Sequence, residues 1–154
     1  MKKIKFLVLV GVCLLGFASC GKSGSDGLCS HRKADAGPFN NYLESQASPQ
    51  IVDYRSESDF INGHLPNAKS IPVSVVELDG TNGDCAYVKK VMAVFDVNKP
   101  LFVYGGKDAF GTNGMAVPGQ LACKFCTVTL LVGGIDAWKK AGLPVETGYP
   151  DEDK

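Results

Sequence analysis

The sequence has no excess of charge of either sign. Its 154 residues include 16 lysines and arginines and 16 aspartates and glutamates, a formal net charge of +0 at pH 7. Proteins that bind nucleic acid usually carry a basic patch or stripe that neutralises phosphates. Nothing in this sequence suggests such a surface, and we therefore predict no nucleic-acid partner.

Long apolar runs are also missing. A helix needs roughly 20 consecutive apolar residues to span a bilayer. The most apolar segment, residues 4–17, is shorter and is interrupted by Lys5 and by glycines. Basic residues precede this segment and Ala18-Ser19-Cys20 follows it, which is the order of a secretory signal peptide. We therefore predict a signal peptide over residues 1–19 and export of the remainder.

Small residues stand directly before Cys20. The segment thereby resembles the signal of a bacterial lipoprotein, in which this cysteine becomes the lipidated first residue. The alternative is an ordinary signal peptide with an incidental cysteine. We favour the lipid anchor at Cys20, which implies a protein attached to a membrane of the cell envelope and facing the periplasm or the exterior.

The rest of the chain is long enough for one domain with its own core. A Gly/Ser-rich stretch after Cys20 is typical of a flexible linker, and we predict a tether over residues 20–36. The domain is predicted over 37–147 and an acidic, solvated tail over 148–154. We find no internal repeat.

Short apolar and β-branched runs alternate with segments of helical periodicity along this domain. Strands are predicted at 51–54, 69–72, 101–104 and 127–132, and helices at 38–46, 56–62, 87–95 and 135–141. One more helix, before the last strand, is predicted to end near residue 124. Such alternation predicts an α/β fold with a mostly parallel sheet and helices on both faces. In these sheets ligands bind beyond the carboxyl ends of the strands, which indicates the loop that begins at Gly105.

Two long motifs resemble the signatures of the rhodanese (sulfurtransferase) family. Ile51-Val52-Asp53-Tyr54-Arg55, followed by Gly63-His64-Leu65-Pro66-Asn67-Ala68, resembles an apolar strand ending in Asp-x-Arg and then Gly-His-[Ile/Leu]-Pro-Gly-Ala. The segment from Val132 to Trp138, with Ala141-Gly142-Leu143-Pro144-Val145, is similar to the carboxy-terminal signature. The resemblance covers about residues 37 to 147 and implies the three-layer rhodanese-like fold.

Three residues of the first motif are predicted to be scaffold of the site. Asp53 and Arg55 are two apart on a strand and so share a face, where an ion pair or hydrogen bonds can fix the adjoining turn. His64 could act as a general base. Because it lies in a turn set by glycine and proline, we favour a hydrogen bond that stabilises the turn.

The family's nucleophile is absent. The resemblance implies that the strand over 101–104 should lead into Cys-x-x-Gly-x-Arg-[Ser/Thr], whose cysteine thiolate carries sulfur as a persulfide. A glycine has no side chain with which to form that covalent intermediate. An arginine of the family motif is also replaced, by Phe110, and Asp108 adds a negative charge that Lys107 offsets only in part. The loop actually reads Gly105, Gly106, Lys107, Asp108, Ala109, Phe110, Gly111.

Other cysteines could in principle supply a nucleophile. Besides Cys20, the exported chain contains Cys29, Cys85, Cys123 and Cys126, an even number in an oxidising compartment. Cys123 and Cys126 have redox-motif spacing, but they lie at the carboxy terminus of a predicted helix, where the dipole disfavours a thiolate. We therefore favour structural disulfides over a reactive pair, and the three complete pairings of four cysteines stay open.

These observations lead to three functional hypotheses. We favour a non-catalytic binding or interaction module whose remodelled loop binds a small anion, a peptide or a partner protein of the envelope. A second hypothesis is a periplasmic sulfurtransferase or thiol-redox protein that uses Cys123, Cys126 or Cys85. A third is a purely structural component of an envelope complex. No catalytic residue, metal or cofactor is predicted.

Overall fold

The computed structural model describes residues 30–79, 83–106 and 116–149. The predicted signal peptide, Cys20, Cys29 and loop residues Lys107 to Gly111 lie outside these ranges. The described strands are β1 (Ser30–Ala34), β2 (Gln50–Asp53), β3 (Lys69–Ser70), β4 (Leu101–Tyr104) and β5 (Thr127–Leu131). The described helices are α1 (Ala36–Glu44), α2 (Glu57–Ile61), α3 (Ala86–Met92), α4 (Ala116–Ala122) and α5 (Gly134–Lys140), with a 3₁₀ turn over Val75–Leu78.

The five strands form one sheet in the order β1-β5-β4-β2-β3, and every pairing is parallel. Parallel neighbours need crossover connections, and helices supply most of them here. The central strand β4 pairs with β2 on one side and with β5 on the other. The predicted α/β fold with a parallel sheet is therefore confirmed.

The sheet is buried on both faces because its strands are apolar at successive positions. In β4, Leu101 and Val103 point to one face, and Phe102 and Tyr104 point to the other. We name these face A and face B. Face A packs against residues of α3 and α4, and face B packs against residues of α1, α2 and α5. The result is the three-layer arrangement that the family resemblance implied.

Local signals set the ends of α2. The side chain of Ser56 caps the helix by accepting a hydrogen bond from the Asp59 backbone N–H at 3.2 Å. Glu57 and Asp59 lie in the first turn, where negative charge suits the helix dipole. Asn62 is the carboxy-terminal cap. This short helix therefore occupies nearly the segment that the sequence predicted.

The predicted tether over 20–36 is wrong in its second half. Residues 30–34 form β1, which pairs with β5 along its whole length, and α1 begins at Ala36. The sequence of β1, Ser-His-Arg-Lys-Ala, has no apolar run because it is an edge strand, and edge strands commonly carry charged side chains. Any tether is thus confined to the residues before Ser30.

The domain also extends slightly further at its other end than predicted. Gly148, which we assigned to the acidic tail, donates a backbone hydrogen bond to the Ile61 carbonyl at 2.9 Å. The Tyr149 hydroxyl is hydrogen-bonded to Glu57. Both contacts join the segment after α5 to α2, so the tail can begin only after Tyr149.

Candidate binding site

Gly105 lies at the carboxyl end of β4, in the middle of the sheet, and is buried. This is the edge at which ligands bind in open parallel sheets. Of the predicted loop Gly105 to Gly111, the described residues are Gly105 and Gly106. The described part of the site is therefore the start of the loop together with the elements packed against it.

Tyr54 fills the space beside Gly105 on face A. The register pairs Asp53 with Tyr104, so the next residues along the two strands, Tyr54 and Gly105, are neighbours. A Cβ atom added to Gly105 would lie 2.7 Å from Tyr54 Cζ and 2.9 Å from Tyr54 Oη. Real Cβ atoms essentially never come within 3.0 Å of another heavy atom. No side chain therefore fits at position 105 unless Tyr54 moves.

The first turn of α5 contacts Gly105 from another side. A Cβ atom on Gly134 would lie 2.9 Å from the Gly105 carbonyl carbon and 3.0 Å from the Gly106 oxygen. Gly134 also has a φ of 56°, which favours glycine. The Ile135 backbone N–H donates to the Gly105 carbonyl at 3.1 Å. The start of the loop is thus held by close backbone contact with α5.

Asp53 and Arg55, predicted as scaffold, form an ion pair. Arg55 Nη2 lies 2.6 Å from Asp53 Oδ2, and Arg55 Nε donates to both carboxylate oxygens at 3.0 and 3.1 Å. Asp53 is fully buried. The same Nη2 also donates to the Gly63 carbonyl at 2.7 Å. The pair therefore ties the end of β2 to the turn that follows α2.

Tyr104 extends this network on face B, and the sequence analysis did not identify it. Its hydroxyl accepts a hydrogen bond from the Leu65 backbone N–H at 3.1 Å. Burial raises the pKa of Tyr104 well above its ordinary value, and the charge of Asp53 raises it further. The sequence signal for this role of Tyr104 was a tyrosine at the end of a buried strand, because a buried hydroxyl needs a hydrogen-bond partner.

His64 is also part of the turn. Its Nδ1 lies 3.0 Å from the Phe60 carbonyl, which requires the proton on Nδ1, and its ring stacks on Phe60 with centroids 3.9 Å apart. Its backbone exchanges two hydrogen bonds with Glu146. Its Nε2 has no hydrogen-bond partner among the described residues and lies 3.7 Å from Glu146 Oε2. This geometry holds the turn and the segment after α5 together.

The described cysteines offer no exposed thiol. Cys123 and Cys126 are disulfide-bonded. Cys85, which we included among the possible disulfide cysteines, instead has a free thiol and is 1 % exposed. It lies in the face A core among apolar side chains, which explains why it is inaccessible. Within the described ranges, no three His, Cys, Asp or Glu residues are grouped so that they could hold a metal ion.

Comparisons with known proteins agree with this architecture. The family model for the rhodanese-like domain matches residues 36–141. Among solved structures, the Alr3790 protein from Anabaena sp. is 27% identical with a TM-score of 0.57, covering 74% of this chain and 82% of that one. A search of curated proteins gives no match.

Two further structures support the fold alone. A rhodanese-like domain protein from Staphylococcus aureus is 23% identical with a TM-score of 0.55, covering 77% of this chain and 99% of that one. A thiosulfate sulfurtransferase from Pseudomonas aeruginosa is 20% identical with a TM-score of 0.51. The similarity to the latter covers 79% of this chain but 20% of the Pseudomonas chain.

Proposed function

The chain belongs to the rhodanese-like domain family, and from this premise we propose that it is an exported, lipid-anchored binding module without sulfurtransferase activity. One observation carries the proposal. At the strand end where the family resemblance implies a cysteine, this chain has Gly105, and Tyr54 fills the space that a side chain would need. The domain keeps its scaffold and lacks the group that would perform the chemistry.

Sulfur transfer of the family type requires a thiolate that attacks the donor and then holds the sulfur atom. Gly105 supplies no such atom. Among the described residues, Cys123 and Cys126 are disulfide-bonded and Cys85 is 1 % exposed. The alternative hypothesis of a thiol enzyme would therefore need reduction of a disulfide or opening of the core.

The proposed ligand is a small anion, a peptide or a protein of the envelope, bound through the loop from Gly105 to Gly111. The position of Gly105 at the carboxyl end of the central strand supports this location. The ion pair between Asp53 and Arg55 supports a role in scaffolding, because it is directed at the backbone of the neighbouring turn. No cofactor is proposed.

Export and anchoring rest on the amino-terminal sequence. The basic residues, the short apolar segment and the small residues before Cys20 support a lipoprotein-type signal over residues 1–19. In the described ranges, no helix has the length and apolarity to cross a membrane. Because β1 starts at Ser30, an anchor at Cys20 would place the sheet close to the membrane surface.

An assay of thiosulfate:cyanide sulfurtransferase activity tests the missing chemistry. We expect the purified domain to form thiocyanate no faster than buffer, since no thiolate stands at the strand end. The matched control is the same preparation after alkylation of its thiols, and an active sulfurtransferase run in parallel validates the assay. A rate well above buffer that alkylation abolishes would contradict the proposal and support the thiol-enzyme alternative.

Metabolic labelling with a fatty acid tests the anchor. We expect the full-length protein to incorporate the label and to sediment with membranes. Cys20→Ser should abolish the label and leave an unprocessed or soluble protein, because the acceptor thiol is gone. The control is Cys29→Ser, which removes a nearby cysteine and should remain labelled. Equal labelling of the Cys20→Ser protein would refute the anchor.

A further inference from the structure

We propose that Tyr54 takes the place of the nucleophile's side chain, and that Tyr54 and Gly105 form one interlocked pair that closes the site to a thiol. This inference rests on the proposed function and deepens it. The loss of chemistry is then not confined to position 105. Tyr54, the residue that follows β2, occupies the space that a side chain at 105 would need, so restoring a cysteine at 105 is not sufficient.

The steric barrier at position 105 comes from Tyr54. The three heavy atoms nearest to a Cβ at position 105, outside the adjoining chain, all belong to the Tyr54 ring and hydroxyl. At Gly106, the next residue, an added Cβ meets nothing within 4 Å. The barrier to a side chain is therefore not general crowding at the strand end. It comes from one aromatic ring, which the strand register places beside Gly105.

Tyr54 cannot simply swing away. It is 7 % exposed and belongs to the face A core with Val52, Val103 and Tyr87. Its backbone N–H donates to the Tyr104 carbonyl at 3.2 Å, and its carbonyl accepts from the Val73 N–H at 3.3 Å. Strand β4 and the segment that follows β3 thus both hold the backbone of Tyr54. Close-packed cores accommodate extra atoms only by strain.

The hydroxyl of Tyr54 determines which chemical group this pair presents to a ligand. Tyr54 Oη lies 2.9 Å from the Cβ position of a residue at 105. Burial, and then the charge of Asp53, raise the pKa of Tyr54 to about 12. The phenol is therefore neutral near pH 7 and presents an O–H donor. A ligand at this site would meet a group that can donate to an oxygen acceptor and cannot carry a sulfur atom.

A double-mutant cycle in thermal unfolding tests the interlock. We expect Gly105→Cys to lower the melting temperature by roughly 5 °C or more, as overpacking does in domains of this size. In the Tyr54→Ala background the same substitution should cost no more than the error of measurement. In the Tyr54→Phe background the loss should remain, because the ring is kept. Gly106→Cys is the control, and its small effect should not depend on residue 54.

The reactivity of the introduced thiol supplies a second readout, which a change in stability alone would not alter. In the Tyr54→Ala, Gly105→Cys protein, the introduced thiol should react with a disulfide reagent in the native state. In Gly105→Cys alone, the introduced thiol should react at least about 10-fold more slowly, or only when the protein unfolds. The thiol introduced by Gly106→Cys should react equally with and without Tyr54.

Each outcome of these experiments either supports or overturns the interlock. Loss of stability in Gly105→Cys that Tyr54→Ala rescues supports the interlock. A Gly105→Cys protein as stable and as reactive as its Gly106→Cys counterpart overturns it. So does a double variant that fails to fold when Tyr54→Ala alone folds. None of these results depends on the sulfurtransferase or lipid-labelling assays, so failure of the proposed function and failure of the interlock are distinguishable.

Discussion

At the scale of single residues, Trp138 is a buried member of the face B core. It is the largest of the fully buried side chains and is 1 % exposed. Its ring makes an edge contact with Phe39 at a centroid distance of 6.2 Å, and its Nε1 donates to the Pro144 carbonyl at 2.7 Å. One side chain thus links α5 to α1 and to the segment that follows α5.

Replacing Trp138 tests this packing. We expect Trp138→Ala to reduce the free energy of unfolding by roughly 3–5 kcal/mol, because it leaves a large cavity in a core that cannot collapse fully. Trp138→Phe is the matched control, since it keeps an aromatic ring and loses the bond to Pro144, and it should cost less. Urea denaturation measures both.

Fluorescence provides an independent measurement, because the chain has one tryptophan. A buried indole should emit at shorter wavelengths than in the unfolded chain and should resist quenching by acrylamide. Emission from the folded protein that is red-shifted and freely quenched would show that the helix after Gly133 does not pack as described.

At the scale of elements, the sequence predicted what local patterns determine. Leu101 to Tyr104 is apolar at successive positions, as required for a central strand buried on both faces, and its bounds were predicted without error. The capping serine of α2 and the β-branched residues of β5 were equally visible. These features depend on residues adjacent in sequence, and they position the carboxyl end of β4 and hence the site.

What the sequence could not predict depends on pairing between distant segments. β1 carries three successive residues with polar side chains, His31, Arg32 and Lys33, and becomes a strand only because β5 offers it a free edge. Tyr54 was read as one residue of a family motif. Its contact with Gly105 follows from the register of β2 on β4, which no local pattern specifies. The absence of a cysteine at position 105 was therefore visible in the sequence, and the contact that Tyr54 makes at this position was not.

At the scale of the whole molecule, tyrosines stand out among the buried polar groups. Tyr54 and Tyr87 lie in the face A core, and Tyr104 lies in the face B core. Tyr87 donates its hydroxyl to the Ile71 carbonyl at 2.8 Å. Burial is the first cause of a raised pKa at all three, and nearby carboxylates add to it. Above about pH 10, the folded state thus keeps protons on three phenols that the unfolded chain would release.

This difference predicts a loss of stability in alkali. An unperturbed tyrosine has a pKa near 10, whereas that of folded Tyr54 is raised to about 12. Between these values the native state binds more protons than the unfolded state, so the free energy of unfolding falls as pH rises. Each such tyrosine contributes a slope of up to about 1.4 kcal/mol per pH unit. Below pH 10 the contribution is fully retained.

Urea denaturation from pH 9 to pH 11.5, values chosen to bracket the unperturbed tyrosine pKa of about 10, measures the slope. Tyr54→Phe keeps the ring that packs against Gly105 and removes one titrating phenol, so its stability should fall less steeply than that of the wild type. Tyr42→Phe is the control, because Tyr42 is 39% exposed and its replacement leaves all three buried phenols in place. Lysines titrate in the same range but are common to all three proteins, so the comparison isolates Tyr54. Identical slopes for the wild type and Tyr54→Phe would show that this hydroxyl is not desolvated beside Gly105.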